Sequence, residues 1–313
     1  MKTREFITKL PIPGFGLSLG LVSFEHFLSH AYDQYSYGAF AALAAGIAVL
    51  FAIRIIIDHR GVLKEIENPA VFGVLPIFTM TIMLLIALTV DYLGDIALVV
   101  WLSAIAASFI MMIFFIKKFI LKFSIEKVFP SWAIIFVGYV VASVTSPDFG
   151  MADLGKVIFW IGFVCFIVLL PVLAYRTLKV RKIPEPLIPQ IMILAAPANL
   201  CIVGCFSAFG DSPPEIVLMI LAVLGVAIYI AVMAYMPIML RIKFYPSFAV
   251  LTFPPVISTI SFYMIGEYYG LLSNDLFYLL WFVTLIAAIL INVYILLRYV
   301  VLMYHIAKST DTN

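Results

Sequence analysis

Charged residues are scarce in this sequence of 313 residues: Asp, Glu, Lys and Arg make up 12% of it, whereas 65% of its residues are hydrophobic. Water-soluble domains have about 25% charged and about 45–50% apolar residues, so the chain lacks the polar surface of such a domain. Cysteine is also rare, and Cys165, Cys201 and Cys205 all lie within apolar runs. This excludes a disulfide framework and a cysteine-based zinc site.

Most of the sequence consists of long apolar runs that are separated by short polar breaks. A helix that crosses a membrane needs about 20 mostly apolar residues. The sequence predicts an all-α fold, a single transmembrane domain over residues 1–313 with ten spanning helices and short cytoplasmic ends at 1–13 and 304–313. The predicted spans are 14–30, 35–57, 70–90, 95–116, 130–147, 154–175, 188–209, 215–239, 246–267 and 276–303.

The charges that remain are sorted between the two sides of the predicted membrane. Of the 19 Lys and Arg residues, Lys156 alone falls on one side. The other joints on that side carry acidic residues such as Asp33, Asp148 and Glu267. Cytoplasmic loops of membrane proteins are enriched in Lys and Arg, so the basic side is expected to be cytoplasmic. We call the two sides the basic end and the acidic end.

Proline recurs at a regular interval along the chain. Pro13, Pro69, Pro130, Pro189 and Pro246 open the odd-numbered spans and are 56, 61, 59 and 57 residues apart. A second helix-weakening residue follows each of them, which predicts kinks at Gly20, Pro76, Gly138, Pro197 and Pro254.

This repeat predicts five hairpins, each with a kinked helix followed by a straighter one. Backbone groups freed at a kink are tolerated in a membrane where they face protein or a water-filled cavity. We therefore expect the kinked helices inside a quasi-fivefold ring around a central pore, with the straight helices outside. A solid bundle in which the kinks only improve packing is the alternative.

Helical stepping from the proline anchors gives a candidate pore lining that is mostly apolar with scattered hydroxyl groups. Such a lining suits passage of small solutes or ions through a hydrophobic constriction. Phe262 falls on the same predicted face. The candidate lining residues are Ser18, Val22, Val74, Phe78, Thr81, Ile135, Tyr139, Ala142, Leu194, Ala198, Cys201, Leu251, Pro255 and Ser258.

Ionisable residues within spans are functional candidates. Glu25 could carry a coupled proton or lie in the outer, water-accessible turn of its helix. His26 and His30 have the spacing of metal ligands on a helix, but no third ligand is evident in the sequence, so no metal site and no cofactor are expected. Motifs of intramembrane or hydrolytic enzymes are missing, and an enzyme is not predicted.

Two segments carry a family resemblance: PIPGFGLSLG at 11–20, and the ninth span from Phe253-Pro254-Pro255 to Ser261-Phe262. With the ten-helix plan, they resemble the bacterial tellurite-resistance and dicarboxylate transporter family, whose relatives include the slow anion channels of plant guard cells. The resemblance implies a homotrimer in the bacterial inner membrane. It also implies a pore in each subunit, closed by a phenylalanine of the ninth helix at the position of Phe262.

Two functional hypotheses follow. The first is a channel for small inorganic or organic anions, gated by Phe262. The alternative is a proton-coupled carrier of dicarboxylates or tellurite-like oxyanions that uses Glu25. A membrane scaffold without transport activity is a third reading, and a nucleic-acid partner is not expected.

Overall fold

The structure, a computed structural model, describes residues 2–31 and 38–311, so the predicted acidic joint at Asp33 lies outside the described residues. The secondary structure of the described chain is helical. Its α-helices are α1 (Lys2–Thr8), α2 (Phe15–Ala31), α3 (Ala39–Ile57), α4 (His59–Glu65), α5 (Pro69–Phe72), α6 (Ile77–Ala87), α7 (Val90–Leu93), α8 (Asp95–Phe115), α9 (Trp132–Val137), α10 (Val141–Thr145), α11 (Ala152–Tyr175), α12 (Ala196–Phe209), α13 (Glu215–Met239), α14 (Phe253–Tyr268) and α15 (Asp275–Asp311).

Nine of the ten predicted spans correspond to candidate membrane-spanning helices in the described chain. These nine segments are long and apolar enough to cross a membrane. The first predicted span corresponds to α2, which has 17 residues and directly follows a three-residue 3-10 turn at Ile12–Gly14. At about 1.5 Å per residue, α2 and this turn are together about 30 Å long, which matches the hydrocarbon core of a bilayer.

Burial separates the spans into an inner and an outer set. In the spans of the proline repeat, which begin at residues 69, 132, 185 and 246, 67–83% of an 18-residue stretch is buried. In the straight spans that alternate with them, beginning at residues 39, 95, 152, 215 and 275, only 17–28% of such a stretch is buried. The prediction that the kinked helices lie inside and the straight helices outside is therefore confirmed.

The inner helices form a closed ring. Helix α2 contacts α6, α6 contacts α10, α10 contacts α12, α12 contacts α14, and α14 returns to α2. Each outer helix packs against the inner helix that precedes it and against the next inner helix around the ring, as α3 does with α2 and α6 and as α15 does with α14 and α2. The architecture is a ring of five helical hairpins.

Four of the five predicted kinks coincide with a change of helix type or a break. Pro76 immediately precedes α6, and Gly138 begins the 3-10 turn Gly138–Val140 that directly follows α9. Pro197 and Pro254 are the second residues of α12 and α14, which follow 3-10 helices at Glu185–Ala195 and Pro246–Leu251.

The predicted kink at Gly20 is wrong, because α2 is continuous from Phe15 to Ala31 and the change of helix type falls at Gly14. Gly20 serves close packing instead. A β-carbon at this position would lie 2.7 Å from Cβ of Thr252, so the glycine lets α2 approach the start of the ninth span.

Candidate functional site: an apolar axial pore

Two small cavities lie on the axis of the ring, and every inner helix contributes to both. The first cavity, nearer the basic end, has a volume of about 30 Å³. A cavity must offer at least about 10–15 Å³ to hold one water molecule, so this space admits very few. Its lining consists of Gly16, Leu19, Ile77, Met80, Ala133, Ile134, Val137, Gly138, Ile193, Ala196, Pro197, Leu200, Val250, Phe253 and Pro254.

The second cavity lies nearer the acidic end and also has a volume of about 30 Å³. It is lined by Ser23, His26, Phe27, Leu84, Val141, Val144, Leu200, Val203, Phe253, Ile257 and Ile260. Leu200 and Phe253 line both cavities, and both side chains are buried. They therefore lie between the cavities and separate them.

The lining has little polarity. Every residue that lines the first cavity is apolar, and in the second cavity the polar side chains are those of Ser23 and His26. The Ser23 hydroxyl is buried and has no hydrogen-bond partner within the described part of the chain. A solute or water molecule in the second cavity would find this hydroxyl available.

The predicted lining residues are displaced from these cavities by one position. Of the fourteen candidates, eleven directly follow a residue that lines a cavity: Phe78, Thr81, Ile135, Tyr139, Ala142, Leu194, Ala198, Cys201, Leu251, Pro255 and Ser258. On α2 the displacement has the opposite direction, because Ser18 and Val22 directly precede Leu19 and Ser23. Val74 is buried outside both cavities. On each inner helix, the residues that line the two cavities are thus neighbours of the predicted residues, and they define the pore face used below.

The hydroxyl groups assigned to the pore lie between helices. The Ser18 and Thr81 hydroxyl oxygens are 3.3 Å apart at the contact of α2 with α6. The Asn199 side-chain amide on α12 donates to the Ser258 hydroxyl on α14 over 2.9 Å. Hydrogen bonds between neighbouring helices satisfy these groups, which is why they do not have to face water.

Two further candidates face the outer helices. The Tyr139 hydroxyl donates to Sγ of Cys165 on α11 over 3.5 Å. Leu194 lines a larger groove of about 760 Å³ between α11 and α13, on the outer side of the ring.

Phe262, the predicted gate, lies outside both axial cavities. Its ring is half-buried and makes an edge-to-face contact with Tyr229 on the outer helix α13, with 5.3 Å between ring centroids. Phe253, nine residues earlier on the same span, is the phenylalanine that lines both axial cavities. The sequence signal for it was the run Phe253-Pro254-Pro255, which marks the start of α14.

Glu25 also lies outside the residues that line the two cavities. Its carboxylate accepts hydrogen bonds from the backbone N–H groups of Gly38 at 2.9 Å and Phe40 at 3.0 Å. These groups belong to the first turn of α3, whose donors have no partner within their own helix. Glu25 therefore caps an outer helix.

A ring of broken inner helices around an apolar axis defines a helical membrane protein of the transport class. Comparison with known families makes the assignment more specific. The family model described as SLAC1, voltage-dependent anion channel, matches residues 11–302, and the chain belongs to this family. The family comprises anion channels and transporters and not enzymes. No curated protein matched the chain.

Proposed function

We propose that the protein is a passive anion channel whose pore runs along the axis of each chain and is closed by Phe253 and Leu200. One observation carries this proposal: both side chains line the two axial cavities, so a path along the axis must pass between them. Phe253 takes the gating role that the family resemblance assigned to Phe262.

The apolar lining favours a channel, through which a solute passes, and not a carrier, which binds its cargo tightly. A selective carrier site needs several polar groups that replace the hydration shell of its cargo. A narrow apolar segment instead excludes water and ions while it is closed and conducts once it is wide enough to hydrate. Removal of the Phe253 ring is expected to open the path.

The starts of the inner helices offer a cause for anion preference without fixed charges. The residues lining the first cavity include Gly16, Ile77, Pro197 and Pro254, each of which is the first or second residue of α2, α6, α12 or α14. The N-terminus of an α-helix carries a partial positive charge of roughly half a unit. Four such ends around one cavity favour an anion over a cation there.

The family resemblance supports three finer points of the proposal. We infer a homotrimer in which each subunit conducts independently, located in a bacterial inner membrane. The basic end, with both chain termini, faces the cytoplasm. The permeant solutes are small inorganic or organic anions, with tellurite-like oxyanions among the cargoes to be tested.

The alternative, a proton-coupled carrier that uses Glu25, receives less support. Both carboxylate oxygens of Glu25 accept hydrogen bonds from the start of α3, and Glu25 is not among the residues that line the two axial cavities. A coupling group has to exchange its proton during each transport cycle.

The proposal is tested with purified Phe253→Ala protein in planar bilayers under a potassium chloride gradient. We expect a current that reverses near the equilibrium potential of chloride and is unaffected by a proton gradient. A reversal potential that follows the proton gradient would support the carrier. Folded Phe253→Ala protein without any anion current would contradict the channel.

A further inference from the structure

Three side chains with metal-ligating atoms meet near the acidic end of the pore. His26 and His30 lie on α2, and Asp148 lies on a 3-10 turn at Ser146–Phe149 after the fifth span. Nε2 of His26 is 3.4 Å from Oδ2 of Asp148, and Nε2 of His30 is 3.1 Å from Oδ1. One ligand atom from each residue can be chosen so that all three lie within 4.8 Å of one another. Asp148 is the third ligand that the sequence could not supply for the two histidines.

The hydrogen bonds around His30 set its tautomer. Nδ1 of His30 lies 2.8 Å from the backbone carbonyl oxygen of His26. A carbonyl oxygen can only accept, so Nδ1 carries a proton and donates it. Nε2 of a neutral His30 then presents a lone pair to the Asp148 carboxylate. Two electron-rich atoms at this distance repel each other unless a proton or a metal ion lies between them.

The same arrangement is typical of histidines that bind metals. Such a histidine usually donates its second ring N–H to a carbonyl or carboxylate, which fixes the ring and directs the other nitrogen to the metal. The i and i+4 positions place both imidazoles on one face of α2, and their rings stack with centroids 4.3 Å apart.

The distances suit a tetrahedral zinc ion. Zinc–nitrogen and zinc–oxygen bonds of about 2.0–2.1 Å place neighbouring ligands about 3.3 Å apart in a tetrahedron. Nε2 of His26 lies 3.4 Å from Oδ2 of Asp148 and Nε2 of His30 lies 3.1 Å from Oδ1, so each imidazole has one carboxylate oxygen close to this distance, and a rotation of the carboxylate would bring one oxygen near both nitrogens. Three protein ligands leave the fourth position open, and the exposed side of His30 gives access from the acidic end.

The turn that carries Asp148 is held by aromatic packing. Phe149 stacks on Trp101 of α8 with 4.7 Å between ring centroids. The indole N–H of Trp101 donates to the Thr145 hydroxyl over 2.8 Å. These contacts hold the turn that carries Asp148 against α8.

We propose that His26, His30 and Asp148 bind a divalent transition-metal ion, with Zn²⁺ as the probe, at the acidic-end mouth of the pore. His26 also lines the second axial cavity, so the ion lies at the entrance to the path. A second consequence rests on the proposed channel function. The open coordination position of the bound ion retains an anion at the mouth of the pore, so the anion current falls when the metal is bound.

Metal binding is measured by isothermal titration of the full chain with Zn²⁺ after treatment with a chelator. Wild-type protein is expected to bind one ion per chain. His30→Gln and Asp148→Asn should each weaken Zn²⁺ binding by about 100-fold. This is at least as large as the effect of changing groups that only orient the ligands, because these two residues bind the ion directly. His305→Gln, which changes an exposed histidine far along the chain, is the control and should bind like the wild type.

Thermal unfolding of each variant controls for loss of the fold. The double variant His26→Cys and His30→Cys gives a second test, because thiolates favour Cd²⁺ and should restore metal binding with that ion. The metal site would be overturned if the wild type did not bind Zn²⁺, or if folded His30→Gln and Asp148→Asn proteins bound it as tightly as the wild type. A proton, and not a metal ion, would then lie between the imidazole and the carboxylate.

The effect on the current is measured separately, in the Phe253→Ala background with Zn²⁺ added at the acidic end. Zn²⁺ should lower the current, and Asp148→Asn should remove this effect. Intact metal binding with an unchanged current would overturn the link between the site and the pore. Absence of any current before Zn²⁺ is added would instead be a failure of the channel proposal.

Discussion

Phe253 on α14 and Leu200 on α12 lie between the two axial cavities, and each of them lines both cavities. They belong to neighbouring inner helices, which contact each other directly. Phe253 is the first residue of α14, at the point where the 3-10 helix Pro246–Leu251 gives way to the α-helix. A small rotation at this joint would move the ring relative to the axis.

Replacement of Leu200 tests the assignment of the constriction to this pair. We expect Leu200→Ala to increase anion current, because it removes a side chain that, with Phe253, lies between the two axial cavities. Cys201→Ala is the matched control, since Cys201 was predicted to line the pore but is buried outside both cavities. Bilayer recordings of equal amounts of protein compare the two. A larger increase in current for Cys201→Ala than for Leu200→Ala would show that Cys201, and not Leu200, faces the pore.

The closure of the ring depends on the close approach of α2 to the ninth span at Gly16. A β-carbon there would lie 2.3 Å from the carbonyl oxygen of Ala249, a backbone atom that cannot turn aside. Gly16→Ala should lower stability by about 1–3 kcal/mol, as overpacking does elsewhere. Thermal unfolding in detergent measures the change.

Gly46→Ala is the control for that substitution. Gly46 lies within α3, and a β-carbon there meets nothing within 4 Å. It should be neutral or stabilising by up to about 1 kcal/mol, because alanine favours a helix interior over glycine. Equal effects at Gly16 and Gly46 would contradict the close packing of the ring.

A polar network joins α12 and α14 within the membrane. The Ser261 hydroxyl donates to the Asn199 side-chain oxygen over 2.6 Å, and the Asn199 amide donates to Ser258. A double-mutant cycle with Asn199→Ala and Ser261→Ala should give a coupling energy of about 0.6 kcal/mol and no more than about 1.7 kcal/mol, the range known for such bonds between membrane helices. Additive effects would show that the hydrogen bond contributes nothing measurable.

The role of Glu25 can be separated into stability and transport. Glu25→Ala removes the acceptor for the first turn of α3 and should lower stability by about 1 kcal/mol, as the loss of a helix cap does. Glu25→Gln retains one acceptor oxygen and should cost less. In the Phe253→Ala background neither change should make the anion current depend on a proton gradient. Loss of current in Glu25→Gln with unaltered stability would favour the coupled carrier.

The five-hairpin ring could be predicted from the sequence because its signals are repeated. Proline opens five spans at a regular interval, and Lys and Arg cluster at six places that all fall on one side, so an error in one repeat would disagree with the others. Burial at the four longer inner spans, 67–83%, agrees with that prediction. The predicted face of each inner helix differs by about one residue from the face that lines the two cavities, because a face depends on the rotation per residue and not on the number of helices.

The 3-10 segments explain much of this error. A 3-10 helix turns about 120° per residue, whereas an α-helix turns about 100°. Over the six residues of Pro246–Leu251 the difference accumulates to about 120°, a little more than one α-helical residue. Pore-facing positions on α14 therefore come one residue earlier than α-helical stepping predicts, and the long 3-10 helix Glu185–Ala195 has the same effect on α12.

The polarity of the predicted lining was the second source of error. Hydroxyl residues such as Ser18, Thr81 and Ser258 were expected to face water. In the structure each of these hydroxyls donates to a backbone carbonyl of its own helix or lies within reach of a polar group on the next helix. Sequence alone does not show whether a hydroxyl group inside a membrane bonds to water in a pore or to polar groups of its own or a neighbouring helix.

The most direct test compares the two phenylalanines of the ninth span in the same bilayer assay. Phe253 lies on the axis, whereas Phe262 packs on Tyr229 at the outer side of the ring. We predict that Phe253→Ala raises the chloride current well above that of the wild type and that Phe262→Ala leaves it near the wild-type value. A current raised by Phe262→Ala and unchanged by Phe253→Ala would contradict the axial pore described here.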